Sequence, residues 1–248
     1  PLGIDLVNCD VEADGQLQAI VDHAVAKFGQ LDFVIHSIAW APLADLHGDV
    51  VNSSRDGFAR AVSISCHSFA ELGRLCAPHM PHGGSMLSMS YLGSGQAVPH
   101  YGLMGPVKAA LESMVRYMAM ELGGKNIRVH AVSPGPILTR AASGIASFDE
   151  LMATAEAKAP LKRLVTLDEI AQLSMFLCTD AASGMTGRAQ FAVGKGDAGG
   201  GDFKFARAAN GDIAAFVAVL SRQFGHGVVV VQARDGGGNQ FGTAFGQF

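Results

Sequence analysis

Apolar positions along this chain fall into two kinds of block, short continuous or alternating runs and longer stripes at helical spacing. Residues 4–9, IDLVNC, read as a short strand that closes at Asp10 and Val11. Leu17, Ile20, Val21, Ala24, Val25 and Phe28 then mark one face of an amphipathic helix, with Gly29 behind it as a stop. LDFVIHSIAWA, Leu31 to Ala41, is a continuous apolar run of the kind that lies in a strand buried on both faces. A second helix is predicted from about Ser54 to Ala77, carrying Phe58, Val62, Ile64, Phe69 and Leu72. Met86, Leu87 and Met89 read as a buried strand, and a helix follows from about Gly105 to Leu122 with Pro106 in its first turn. Ile127 to Ser133, IRVHAVS, is a further strand, broken by Pro134-Gly135-Pro136. Thr166 with Glu169 three residues on is a capping box opening a helix in TLDEIAQLSMFLCTD. Strands alternating with helices predict an α/β fold, a doubly wound parallel sheet with right-handed crossovers. Ligands in such sheets sit beyond the carboxyl ends of the strands, so strand-end residues carry the candidate chemistry.

The stretch Ser85 to Lys108, SMLSMSYLGSGQAVPHYGLMGPVK, joins a buried strand to a helix through a turn-rich loop. The loop offers Tyr91 and Tyr101, and Lys108 follows Tyr101 by seven residues. That spacing is nearly two helical turns, which predicts that the phenol and the ammonium share one face. A neighbouring cation is expected to lower the phenol's pKa and make it a proton donor. His36 is read as a hydrogen-bonded histidine at a strand end in preference to a general base.

Composition narrows the function classes. A net charge of −4 with no basic run argues against nucleic acid or an anionic membrane as partner. No apolar stretch approaches the roughly 20 residues of a membrane span, and no signal peptide opens the chain. Cys9, Cys66, Cys76 and Cys178 form no C-x-x-C pair and are expected as free thiols in a reducing cytoplasm.

Tyr91, Tyr101 and Lys108 within SYLG…PHYGLMGPVKAALE, together with HSIAWAP and VSPGPILTRAASGI, resemble the bacterial enoyl-acyl-carrier-protein reductases. These are a divergent branch of the short-chain dehydrogenase/reductases, whose ordinary members carry Tyr-x-x-x-Lys; here Gly105 stands four residues after Tyr101. The resemblance implies a Rossmann-like single domain and hydride transfer from NADH, with NADPH not excluded, to the β-carbon of a trans-2-enoyl thioester. It implies Tyr101 at the thioester oxygen, Lys108 at the nicotinamide ribose, and Tyr91 lining the acyl pocket. Asp10 and Val11 would meet the adenine, Ile38 the nicotinamide side, and Ala41 the substrate. Ile137, Leu138, Thr139, Arg140 and Ala141 would embrace the nicotinamide end, with Thr139 near the phosphates. Residues 141–160 would form a helical flap over the acyl chain. The implied partners are enoyl-acyl-carrier protein and further copies of the chain, a homotetramer in relatives, paired through Ser54 to Ala77 and Gly105 to Leu122.

The resemblance runs from about Leu6 to Gly187. A complete member would begin with a strand, a glycine-containing phosphate loop and a second strand, so an N-terminal truncation is expected, with 1–187 as the reductase domain. From Arg188 the sequence turns rich in glycine and phenylalanine, and 188–248 reads as a frameshifted or fused tail. Within it a helix, Asp212 to Phe224, and a strand, Val228 to Ala233, are predicted. VVVVQARDGGGNQFG could alternatively supply the absent first strand and glycine loop, although GGGNQFG does not match a dinucleotide fingerprint. Two rival readings stand beside the reductase. One is an ordinary carbonyl reductase in which Ser88, thirteen residues before Tyr101, assists the tyrosine. The other is a non-catalytic fragment.

Overall fold

In the computed structural model, residues 5–137, 148–192, 216–220 and 228–233 are described. Strand β1 (Asp5–Cys9) leads into helix α1 (Gln16–Phe28), strand β2 (Phe33–Ser37) and a short helix α2 (Leu43–His47). Helices α3 (Arg55–Val62) and α4 (Ser68–Cys76) precede strand β3 (Gly84–Met89), long helix α5 (Met104–Leu122) and strand β4 (Ile127–Pro134). Helices α6 (Phe148–Lys158) and α7 (Leu167–Cys178) and strands β5 (Arg188–Ala192), β6 (Phe216–Leu220) and β7 (Val228–Ala233) complete the described elements.

The strands form one sheet in the order β1-β7-β6-β2-β3-β4-β5. The pairs β2–β3, β3–β4, β4–β5 and β1–β7 are parallel, as the alternation of elements predicts. β6 departs from that expectation and runs antiparallel to both β2 and β7.

Burial on both faces explains the continuous apolar runs. Val34, Met86, Val129 and Ala131 turn toward the core that α1, α4 and α5 cover, while their neighbours Ile35, Leu87 and Val132 join the core beneath α7. Successive side chains on a strand point to opposite faces, so both faces are largely apolar here, with buried polar side chains such as His36 and Ser88 paired by hydrogen bonds.

Element ends differ from the expectation where backbone groups find better partners. The run from Leu31 to Ala41 gives only a five-residue strand. Leu31 N–H donates to His79 O at 2.8 Å. Beyond the strand, Trp40 N–H donates to Ser65 Oγ at 2.8 Å, which takes that backbone out of the ladder. The helix foreseen from Ser54 to Ala77 contains a turn of π-helix at Ser63–His67 between α3 and α4. That extra residue per turn points Ser65 at the end of β2, a device often found at functional sites. Phe58, foreseen on this helix, is 39% exposed.

The capping box is present: Thr166 Oγ1 accepts the Glu169 N–H at 3.2 Å and Glu169 Oε2 accepts the Thr166 N–H at 2.9 Å. At the other end of α7, Arg128 donates to Leu177 O, Thr179 O and Ala182 O, supplying partners to carbonyls left over at a helix terminus.

The helix expected at Asp212 to Phe224 is corrected, because residues 216–220 form β6. FVAVL has the β-branched and aromatic content of a strand, and in that place its backbone pairs with both β2 and β7. The strand expected at Val228 to Ala233 is β7. Arg188, where the composition changes, opens β5 and pairs with His130 of β4. Among the described residues, no helix is long and apolar enough to cross a membrane.

Candidate active site

Carboxyl ends of β1, β2, β3 and β4 put Asp10, Ile38, Tyr91 and Ile137 along one edge of the sheet. Asp10 closes the turn after β1: its Oδ1 accepts the Glu12 N–H at 2.9 Å, and its own N–H donates to Gln16 Oε1 at 2.6 Å. Val11 is half-buried against the core, whereas Ile38 is fully inside it, so only its backbone can face a ligand. A bidentate pair between Arg60 and Glu12, at 3.0 and 2.6 Å, brings α3 to the loop after β1. The same guanidinium lies over the Trp40 ring at 4.5 Å, tying in the loop after β2.

The two tyrosines meet. Their ring centroids are 4.6 Å apart at an interplanar angle of 55°, in an apolar cluster with Leu103, Met104 and Val107 against which Ala41 packs. Tyr101 is only 8% exposed and Tyr91 is half-buried. Tyr101 lies in the loop ahead of α5, where the sequence reading places it. His100 at φ +61° and Gly102 at φ +44° turn the chain left-handed on either side of it, and the helix starts at Met104. Gly102 has no room for a side chain, since a Cβ would come within 2.7 Å of Leu46 O.

The expected electrostatics are corrected as well. Burial pushes the Tyr101 phenol upward, with Tyr91 adding to the shift, and burial raises Tyr91 too. Tyr101 is therefore a neutral hydrogen-bond donor over the working pH range, not an acidified phenol. Lys108, in the second turn of α5, is 4% exposed and donates from Nζ to Met89 O at 2.6 Å. Burial lowers its pKa to about 8, so the ammonium form persists at neutral pH.

His36 is the satisfied histidine foreseen. Its Nε2 is 2.8 Å from Ser68 Oγ, whose own proton goes to Ile64 O, so Nε2 is the donor. Nδ1 then accepts from Ser88 Oγ at 2.9 Å. Burial pushes the imidazole down to about 3, which keeps it neutral. Ser88 is fully buried with its proton committed to His36, so it cannot assist Tyr101 as the carbonyl-reductase reading requires.

Ile137 is half-buried against the α7-side core with Met89. Leu138, Thr139, Arg140 and Ala141 lie outside the described residues, as do residues 142–147 of the foreseen flap, whose described part is α6. The structure thus brings together Ala41, Tyr91 and Tyr101; Lys108 reaches the end of β3 at Met89 O, while Asp10 and Val11 stand farther along the edge at β1.

Two groups escaped the motif reading. Gly93 lies flat against the Tyr101 ring, where an added Cβ would come within 2.5 Å of Cδ1. Glu112 on α5 accepts hydroxyl bonds from both Ser90 and Ser94. Its place four residues beyond Lys108, one turn on the same face, was the available signal. Gly93→Ala should displace the Tyr101 ring and lower stability by about 1–3 kcal/mol, as overpacking does, which urea titration of variant and wild type would measure.

Comparison with known proteins agrees with this geometry. Residues 1–196 match the family model described as Enoyl-(Acyl carrier protein) reductase. The chain is 46% identical over 180 residues to the enoyl-acyl-carrier-protein reductase (NADH) FabI of Nostoc sp., covering 73% of this chain and 70% of that protein. It is 40% identical over 188 residues to FabI of Escherichia coli, covering 75% and 72%. Among solved structures, the Bacillus cereus enoyl-acyl carrier protein reductase with NADP+ and indole naphthyridinone superposes with a TM-score of 0.73 at 39% identity, covering 75% of this chain and 72% of that one. The Anaplasma phagocytophilum reductase in complex with NAD gives a TM-score of 0.72 at 37% identity, covering 75% and 71%. Matched by that family model over residues 1–196 and 46% identical to a relative covered over 70% of its length, the chain belongs to the enoyl-acyl-carrier-protein reductase family.

Proposed function

We propose that this chain reduces the trans-2 double bond of an enoyl thioester carried on acyl carrier protein, with NADH as reductant, a step of fatty acid biosynthesis. The observation that carries the reading is the buried Tyr91–Tyr101 pair beside Ala41, at the head of the helix that holds Lys108. What the reaction asks of that cluster is a fixed hydrogen-bond donor to the thioester oxygen, and the proton that completes the reduction goes from solvent to the α-carbon of the enolate.

The residues present fit a nicotinamide dinucleotide. Among the described residues, Lys108 Nζ uses one of its three donors, on Met89 O, which leaves two for paired hydroxyls such as those of a ribose. Asp10 and Val11 would hold the adenine end, and backbone at Ile38 and Ile137 the nicotinamide end. Leu138, Thr139, Arg140 and Ala141 would supply the remaining loop contacts. Bound NADH supplies a hydride to the β-carbon of the enoyl group. As negative charge gathers on the thioester oxygen, the Tyr101 O–H donates to it from a site already dry and aligned. Tyr91 holds the Tyr101 ring and lines the acyl side, and Ala41 leaves the space that a thioester needs. The charge on Lys108 keeps the local potential positive while the enolate forms.

Calorimetric titration with NADH and NADPH, followed by turnover of a trans-2-enoyl thioester beside a simple ketone, tests the reading. Saturable NADH binding with enoyl turnover supports it; ketone turnover without enoyl turnover would sink it. The exposed Tyr117 (61%) and Met120 (71%) on α5, with Phe58 on α3, support self-association through those helices, which sedimentation would measure. Cys9, Cys66, Cys76 and Cys178 are all buried free thiols, which supports a reducing, cytoplasmic setting.

A further inference from the structure

Met89, Ser90 and Tyr91 are three consecutive residues at the end of β3, and each is held by a different group. Lys108 Nζ donates to Met89 O at 2.6 Å. Ser90 N–H donates to Val132 O at 2.7 Å, and its hydroxyl donates to Glu112 Oε1 at 2.5 Å. Tyr91 stacks on Tyr101. Three residues beyond Tyr91, the Ser94 hydroxyl donates to the same Glu112 oxygen at 2.6 Å. The tyrosine is therefore bracketed by two serines that converge on one carboxylate oxygen. That carboxylate stands one helical turn past Lys108 on α5.

We propose that Glu112 is a positioning residue of the reductase site, fixing the loop that carries Tyr91 to the helix that carries Lys108. The proposal rests on the reductase reading given above. Lys108 and Glu112 clamp the same loop at successive turns of one helix, so the tyrosine stack and the ammonium cannot shift independently. An isolated surface glutamate would do none of this. An ordinary loop anchor would influence stability but not the ratio of turnover to cofactor affinity. Glu112 also contributes negative charge near Lys108 and helps it stay protonated. Two hydroxyl donors on one oxygen call for an acceptor of this length: a Gln carbonyl oxygen can stand in for it, an Ala cannot.

The test compares Glu112→Gln, Glu112→Ala and the double substitution Ser90→Ala/Ser94→Ala with wild type. In protein without cofactor, amide exchange across residues 91–96 should rise about tenfold or more in Glu112→Ala and in the double variant, while β4 amides keep wild-type rates. With NADH and a trans-2-enoyl thioester, kcat in those two variants should fall about tenfold or more, with NADH affinity within about twofold of wild type. Glu112→Gln should recover most of both. Exchange that rises evenly through β4, unchanged kcat in Glu112→Ala, or a Gln variant as impaired as the Ala variant would each overturn the proposal. If wild type binds NADH but turns over no enoyl thioester while the local exchange pattern appears, the reductase reading fails and the catalytic claim with it, leaving Glu112 as a loop anchor only.

Discussion

Replacing Tyr101 with Phe should lower kcat for enoyl-thioester reduction by about 10²–10³, the usual cost of removing one preorganised donor from a developing oxyanion. The substitution removes a single oxygen. Its ring keeps the 4.6 Å stack on Tyr91 and the contact with Gly93, so the fold around it has no reason to relax. NADH affinity should stay within about twofold, because the cofactor contacts proposed at Lys108 and the strand ends do not involve the phenol. Tyr91→Phe supplies the contrast, with less than about a tenfold effect, since Tyr91 acts through packing and orientation. Equal losses in both variants, or a Tyr101→Phe effect confined to KM, would move the donor role away from Tyr101. The raised phenol pKa adds a second expectation: the pH profile of kcat should show no phenol ionisation below about pH 10, the ordinary tyrosine value.

How far this site was legible in the sequence depended on whether a property is local or is set by burial. The strand ends, the helix stripes and the Thr166–Glu169 box are local, and hydrophobic period and capping chemistry identify them in place. Tyr101 and Lys108 were identifiable as a pair, but the route that joins them was not. Left-handed His100 and Gly102 set how Tyr101 leaves the loop, a backbone detail that the seven-residue spacing does not carry. The sign of the Tyr101 shift was also out of reach. A nearby cation and a dry pocket pull a phenol in opposite directions, and which prevails depends on how tightly Leu103, Met104 and Val107 close around it. The same holds for Glu112, a charge on a helix face until the loop from β3 folds onto it. Residues 216–220 fall within the stretch Asp212 to Phe224 read as a helix, whereas pairing with β2 and β7 makes them a strand. Strand pairing is a tertiary choice that local propensity only weakly anticipates.

Lys108→Met should cost about 10²–10³ in kcat/KM, the value of two charge-assisted hydrogen bonds at about 1.5–3 kcal/mol each, reduced by the residual contacts of a bound dinucleotide. The same substitution removes a costly buried ammonium but leaves Met89 O without its donor, so stability at neutral pH should stay within about 2 kcal/mol of wild type. The pH dependence separates the two effects. Burial depresses the Lys108 pKa from 10.5 in the open chain to about 8 in the fold. Below about 8 both states hold the proton, and Lys108 adds no slope. Above it the folded state releases the proton first, so the unfolded state binds more protons and stability rises with pH. From pH 7 to 9 this amounts to about 1 kcal/mol in wild type, and it should vanish in Lys108→Met. The window closes near the upper bound, where Cys9 and Cys76, raised to about 12 by burial, act with the opposite sign. Their open-chain forms begin to ionise at about 9 and favour unfolding as pH climbs further. Urea titrations of both proteins at pH 7, 8 and 9 would measure the difference in midpoint at constant m. Parallel slopes in the two proteins would mean that Lys108 is not buried as a cation, and the electrostatic support for an enolate at Tyr101 would go with it. Diverging slopes, with the methionine variant folded and inactive, would show that this fold keeps a dry positive charge on α5 at a cost in stability that falls as pH rises.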